Sequence, residues 1–184
     1  MKKTINIKWP LIGNDHIFKF LDKQIREKNP AQVYIFSGIS NVGKTKTATH
    51  FAKSLLCLQE PQEVPCDQCL SCLNITRERN NHSDLYYLKR EDDKKNISIE
   101  QVRDFIHKIS LSSFQNGFKI GIIKNAHYLN INGHNALLKT LEEPNKKVVI
   151  ILTTSNIDQI PNTVLSRSQV LRFRPVDQNL INNL

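Results

Sequence analysis

The sequence predicts an α/β domain built on a central, mainly parallel sheet. Two observations carry that reading. Short apolar, β-rich runs alternate along the chain with amphipathic helical patterns. A glycine-bearing segment, "GISNVGKT" from Gly38 to Thr45, stands where one such run passes into one such helix.

The elements follow in order. "QVYIFSG" (Gln32 to Gly38) is apolar and ends in glycine, the pattern of a buried strand. A helix is expected from about Lys44 to Leu56, with Ala48, Phe51, Ala52 and Leu55 on one face. "DLYYLKR" is a second strand. "SIEQVRDFIHKIS" places Val102, Phe105, Ile106 and Ile109 at helical spacing, and Ser98 with Gln101 forms a capping-box pattern. "FKIGIIKN" reads as a strand that runs out into a turn and a helix start at "AHYLN". "NGHNALLKTLEEP" is a helix stopped near Pro144, because the residue before a proline is pushed out of the helical region. "KKVVIILTTS" is the most apolar strand, "SQVLRFRPV" a further short one, and an Asn-rich polar segment ends the chain. The 184 residues suit one domain spanning 1–184, with an insertion at 57–72.

Composition narrows the setting. Hydrophobic residues make up 39% and charged residues 23%, as in ordinary globular proteins. No apolar run approaches the ~20 residues that span a bilayer, and the basic start "MKKTINIKWP" lacks a signal peptide's apolar core. The expectation is a cytoplasmic chain without a membrane partner. The net charge of +9, from 26 Lys and Arg against 17 Asp and Glu, fits a phosphate-bearing partner. The cations are scattered, however, in Lys94-Lys95, Lys146-Lys147 and the Arg167, Arg172, Arg174 series, so on charge alone a solvated basic surface is the favoured account.

Gly38 to Thr45 matches G-x-x-x-x-G-K-[ST] in full. In such a loop the backbone N–H groups, here those of Gly38, Asn41, Val42 and Gly43, face a β-phosphate, aided by the positive end of the helix. Lys44 would lie against the β- and γ-phosphates, and the Thr45 hydroxyl would ligate Mg²⁺. ATP or ADP is the expected ligand.

All four cysteines, Cys57, Cys66, Cys69 and Cys72, fall between that helix and the next strand. Four thiolates at short spacing can close a tetrahedral zinc site with no open position, which makes Zn²⁺ structural. Structural disulfides are unexpected in a cytosolic chain. The sequence around the cysteines, "QEPQEVPCDQCLSC", is acidic or neutral and argues against direct nucleic-acid backbone contact.

With these residues assembled, the chain resembles the first domain of a bacterial clamp-loader subunit of the AAA+ class. The order of phosphate loop, four-cysteine module, "NALLKTLEEP" helix and "TVLSRSQ" segment covers almost all of it. The resemblance implies an AAA+ (RecA-like) P-loop fold with an inserted zinc module, followed in family members by a lid and a collar that lie beyond this chain. It implies partners as well: other loader subunits (gamma/tau and delta), and through them the sliding clamp and primer-template DNA.

Two branches compete, the ATP-hydrolysing gamma/tau subunits and the delta prime subunit of DNA polymerase III. In the hydrolysing branch the "IGII" strand ends in an Asp for Mg²⁺ and a Glu for the attacking water; this chain has Lys124 and Asn125. An ammonium has only donors and cannot ligate Mg²⁺, and an amide cannot serve as the base. The delta prime branch is therefore expected, without ATPase activity of its own, unless Glu142 or Glu143 supplies the acid or Lys124 simply caps a strand. By the same resemblance Arg167 of "LSRSQ" reaches in trans into a neighbour's ATP site; an arginine paired to a surface carboxylate is the plainer alternative. "WPLIGND" is similar to the segment that packs on the adenine, with Leu11 and Ile12 as contacts, or else it is core. Thr153 and Thr154 end a strand where the family places a γ-phosphate sensor, Thr154 being the candidate; they are also simply good strand formers. His127 and His134 are read as polar residues flanking helices.

Overall fold

The computed structural model describes residues 7–58, 63–75, 81–114, 117–142 and 147–176. Five strands pair in parallel: β1 (Val33–Ser37), β2 (Leu85–Leu88), β3 (Lys119–Ile123), β4 (Val148–Thr154) and β5 (Gln169–Arg172), in the order β2-β3-β4-β1-β5. The register sets Ser37 beside Thr154 and Tyr34 beside Gln169. The three inner strands are buried along their whole length, as strands covered on both faces must be.

Helices α1 (Asp15–Arg26), α2 (Lys44–Leu55), α3 (Leu70–Asn74), α4 (Ile99–Ser110), α5 (Ile131–Glu142) and α6 (Asn162–Leu165) supply that cover. Alternation along each strand divides the core in two. Tyr34, Phe36, Ile122, Val149 and Ile151 face α1 and α2 through Ile17, Leu21, Ala48 and Phe51. Val33, Ile35, Ile150 and Leu152 face α4 and α5 through Val102, Phe105, Leu137 and Leu141. Gly121 is the one inner-strand glycine, and a Cβ there would stand 2.4 Å from Phe105 Cζ. Its absence lets α4 sit directly on the sheet.

The expected strands and helices lie within a residue or two of their places, except that the last strand ends at Arg172, four residues short of Val176, and the Ser98–Gln101 capping box closes with both of its hydrogen bonds. Every strand pair among the described residues is parallel, where a mainly parallel sheet was expected. Pro144 and Glu143, at the expected stop of α5, lie outside the described residues, as does the side chain of Glu142. Helix α1 has no counterpart among the sequence expectations. It is strongly amphipathic and buries Ile17, Phe18, Leu21 and Ile25. Trp9 packs onto it, stacking on Phe18 at 4.8 Å between centroids and donating from Nε1 to Asp22 at 2.7 Å. That assigns Trp9 to the core.

The segment after β5 crosses back over the chain's beginning. Asn14 and Arg174 exchange two hydrogen bonds, Asn14 Nδ2 to Arg174 O at 3.0 Å and Arg174 N to Asn14 Oδ1 at 2.7 Å. Phe173 N donates to Ser37 O at 2.7 Å. A Cβ on Gly38 would come within 2.5 Å of Phe173 O, so only glycine fits beneath this crossing.

Candidate nucleotide and metal sites

The Gly38–Thr45 loop leaves the C-terminal end of β1 and opens α2. Asn41 and Gly43 take left-handed backbone angles (φ 65° and 87°), which curls the chain. Lys44 is 7% exposed, and its ammonium donates to Gly38 O at 2.7 Å and Ile39 O at 2.6 Å. Burial lowers its pKa. The charge thus stands at the centre of the loop, held by carbonyls that a phosphate would displace. Leu11 lies over the loop, its Cδ1 at 2.6 Å from where a Cβ on Gly43 would be, while Ile12 is 40% exposed beside it. The loop's shape and its central cation fit a nucleotide phosphate.

Beyond Thr45 the loop opens onto a cleft of about 1300 Å³ along α2 and β2. Lys8, Lys46, Lys53, Lys89 and Lys124 line it; among the described residues its one lining carboxylate, Asp67, is bound to Lys53 at 2.5 Å. Lys124 and Asn125 follow β3. Lys124 N donates to Leu88 O at 2.8 Å, and its ammonium lies 4.8 Å from the centre of the Tyr87 ring. Tyr87 OH is in turn 2.9 Å from Thr49 Oγ1, on α2 one turn beyond Thr45. Asn125 adopts a left-handed conformation (φ 54°) with its N–H donating to Thr153 Oγ1 at 3.0 Å. Oxygen ligands suit Mg²⁺; an ammonium and an amide in these two places do not form such a set.

Thr154 is fully buried. Its hydroxyl donates to Asn156 O at 2.8 Å and accepts from Asn156 N–H at 3.1 Å. His127 Nδ1 reaches the same oxygen at 3.2 Å. The hydroxyl proton is already given to Asn156, so Nδ1 must carry the donor hydrogen. Burial lowers the His127 pKa, and the Lys44 charge lowers it further. The residue read as a helix flank therefore belongs to the loop's electrostatic surroundings. His134, by contrast, is buried on α5.

The four cysteines gather. Their sulfurs all lie within 4.8 Å of one another, with Cys66 and Cys72 3.9 Å apart. A tetrahedral zinc with Zn–S bonds of about 2.3 Å puts sulfurs about 3.8 Å apart. Backbone N–H groups of Cys69 and Cys72 point at Cys66 Sγ (3.3 Å) and Cys69 Sγ (3.4 Å). For Cys66 burial pushes the pKa upward, but the N–H groups of Gln68 and Cys69 prevail and bring it down to about 6. For Cys72 burial dominates and raises it. The donor set fits Zn²⁺.

Local sequence did not reveal the ties that hold this module. Ser71 Oγ donates to Leu56 O at 2.6 Å and lies 2.8 Å from His82 Nε2; His82 Nδ1 accepts from Asp84 N at 3.0 Å. The proton on His82 is therefore on Nε2, and the relay links the end of α2, the module and the start of β2.

Arg167 is exposed, and its Nη1 donates to Thr163 O at 2.9 Å. It stands two residues before β5, at the end of the sheet where strands begin, whereas the Gly38–Thr45 loop follows β1 where strands finish. The Tyr34–Gln169 pairing puts at least about 10 Å of sheet between them.

The family model described as DNA polymerase III, delta subunit, matches residues 13–177. DNA polymerase III subunit tau of Bacillus subtilis is 34% identical over 171 residues, which is 93% of this chain and 30% of that protein. Subunit delta' of the same strain is 33% identical over 165 residues, 90% of this chain and 49% of that protein. The chain thus spans half or less of these relatives' length. A crystal structure of a DNA polymerase III gamma subunit-related protein from Thermotoga maritima shares the fold, with a TM-score of 0.57 over 88% of this chain and 48% of that one, at 18% identity. With a family match that runs from just before α1 to just past β5, the chain belongs to the DNA polymerase III delta-subunit family, as an N-terminal AAA+ domain of the clamp-loader subunits.

Proposed function

We propose that the chain is the N-terminal domain of a delta prime-type clamp-loader subunit that binds a nucleotide, does not hydrolyse it, and serves DNA replication in the cytoplasm by completing a neighbour's ATP site. The observation that carries the reading is the end of β3, where Lys124 and Asn125 stand in place of acids and the single carboxylate among the described residues of the cleft's lining is engaged by Lys53. Without an acceptor base the attacking water is not activated, a loss of about 10²–10⁴ in rate. The phosphate loop keeps its lysine and its curl, which supports binding without turnover. Zn²⁺ in the cysteine module is structural.

Arg167 supplies the positive function. It sits too far from its own loop to act there and is exposed for a partner subunit. In trans its guanidinium stabilises charge developing on a transferring phosphoryl group. A hydrolysing gamma/tau-type reading is the alternative, since similarity to the two branches is nearly the same, 34% to tau and 33% to delta'. It requires an acid that the described residues do not provide.

The test is ATP turnover in a loader reconstituted with gamma/tau, delta and the full-length subunit carrying this domain. Arg167→Ala is expected to lower DNA- and clamp-stimulated hydrolysis by about 10³ or more if the site depends on a single trans arginine. Arg167→Lys restores little, because an ammonium lacks the planar fork. Unchanged loader turnover in the alanine variant, or turnover by this chain alone that Lys44→Ala abolishes, defeats the proposal.

A further inference from the structure

The cleft beside Thr45 is unlike a metal site in its charge as well as in its ligands. Lys46, Lys89 and Lys124 line it, and none of them meets a carboxylate among the described residues within ion-pair distance. Lys124 is held in place and is not a loose surface side chain. Its backbone is fixed to β2 through Leu88 O, and its ammonium rests on the Tyr87 ring. That ring hangs by its hydroxyl from Thr49, which shares a helix face with Thr45 one turn away. The ammonium is thereby tied to the helix that carries the would-be metal-ligating hydroxyl.

Cations predominate in the surroundings. Burial lowers the Lys124 pKa and the Lys89 charge lowers it further; burial lowers that of Lys44; burial and Lys44 together lower that of His127. An arriving polyanion favours the charged form of each of these groups. A divalent cation entering the same space meets those charges, and among the described residues of the lining finds only Asp67, already paired to Lys53.

We propose that this loop takes nucleoside di- and triphosphates in their metal-free form, with the Lys124 ammonium standing where a divalent cation would otherwise be held. The proposal rests on the non-hydrolysing reading above and makes it specific, since the form of nucleotide selected is one that lacks the metal phosphoryl transfer uses. Mg²⁺ then acts as a competitor that withdraws free nucleotide from solution. A triphosphate carries two more negative charges without its Mg²⁺, and the lysines distinguish the two forms by that difference.

The experiment is calorimetric binding of ADP and of ATP to the zinc-loaded chain, in Mg²⁺-depleted buffer and again with excess Mg²⁺. Depletion is by dialysis, so that no chelator strips the cysteine module, and zinc content is checked in every sample. The expected result is tight binding without Mg²⁺ and an apparent ATP affinity about tenfold weaker with it. Lys124→Gln, which stays polar and loses the charge, should weaken metal-free binding about tenfold with zinc content and melting temperature unchanged. Lys124→Asp should reverse the preference, so that Mg²⁺ strengthens binding. Binding by the unsubstituted chain that needs Mg²⁺, equal binding by Lys124→Gln, or no binding in either buffer overturns the inference. Mg²⁺-dependent binding without turnover would do so while leaving the non-hydrolysing subunit intact, whereas steady-state turnover would remove that reading first.

Discussion

His134 shows how much one side chain can withhold. It is 2% exposed on α5, and among the described residues neither ring nitrogen has a hydrogen-bond partner. Burial lowers its pKa, so the ring is neutral and its polar atoms are desolvated without return. His134→Leu, similar in bulk and without polar atoms, is expected to stabilise the chain by about 1–2 kcal/mol, read as a rise in the urea midpoint at unchanged slope. A fall would mean that a partner outside the described residues, or an ordered water, satisfies the ring. Lys44 makes the opposite case. It is also buried, yet two carbonyls hold its ammonium at 2.6–2.7 Å, so the charge is stored where a phosphate can claim it.

At the scale of elements, the cysteine module is a graft between α2 and β2, joined by the Lys53–Asp67 ion pair and the Leu56–Ser71–His82 relay. A metal bound there would be coupled to folding, because ligand thiolates gathered this closely repel one another until a cation joins them. Purified chain is expected to hold one zinc, and Cys69→Ser to lose it with a fall in melting temperature on the order of 10 °C. Full stability in a zinc-free preparation would make the module a mere loop. The curl of the Gly38–Thr45 loop, the gathering of the cysteines and the Ser98 cap were legible in the sequence because each is local: a few neighbouring residues specify the geometry. Helix α1 carries its signal as well, in Ile17, Leu21 and Ile25 at helical spacing, but Lys19, Lys23 and Arg26 in the same helix mask the stripe. What could not be read is what distant segments bring together. Tyr87 is only a strand former until Thr49 and Lys124 meet at its two ends, and His127 only a helix flank until Thr154 closes on it.

Across the whole molecule, four of six histidines, His50, His82, His127 and His134, have pKa values lowered chiefly by burial. The unfolded chain therefore binds more protons than the folded one below the ordinary histidine value of about 6.5. Their contribution is complete above that pH and is lost as pH falls. For His50 the loss continues down to about 4 and amounts to about 3 kcal/mol. Melting temperature should fall steadily from pH 6.5 to 4, and His50→Phe, which preserves the tilted stacking on Trp9, should flatten that limb. If the limb is unchanged in the variant, protonation of the cysteine ligands sets the acid sensitivity instead.

The crossing of the chain after β5 over Gly38 has a mechanical consequence. Phe173 hydrogen-bonds Ser37 and lies directly on Gly38, and Arg174 is clasped by Asn14 at the entry to α1. The first residue of the phosphate loop and the outgoing strand therefore share one hinge pin. Any displacement of Gly38 would load Phe173 and Arg174 directly, because no slack separates them. The anchorage of the loop and the direction in which the backbone leaves the sheet are thus one and the same joint.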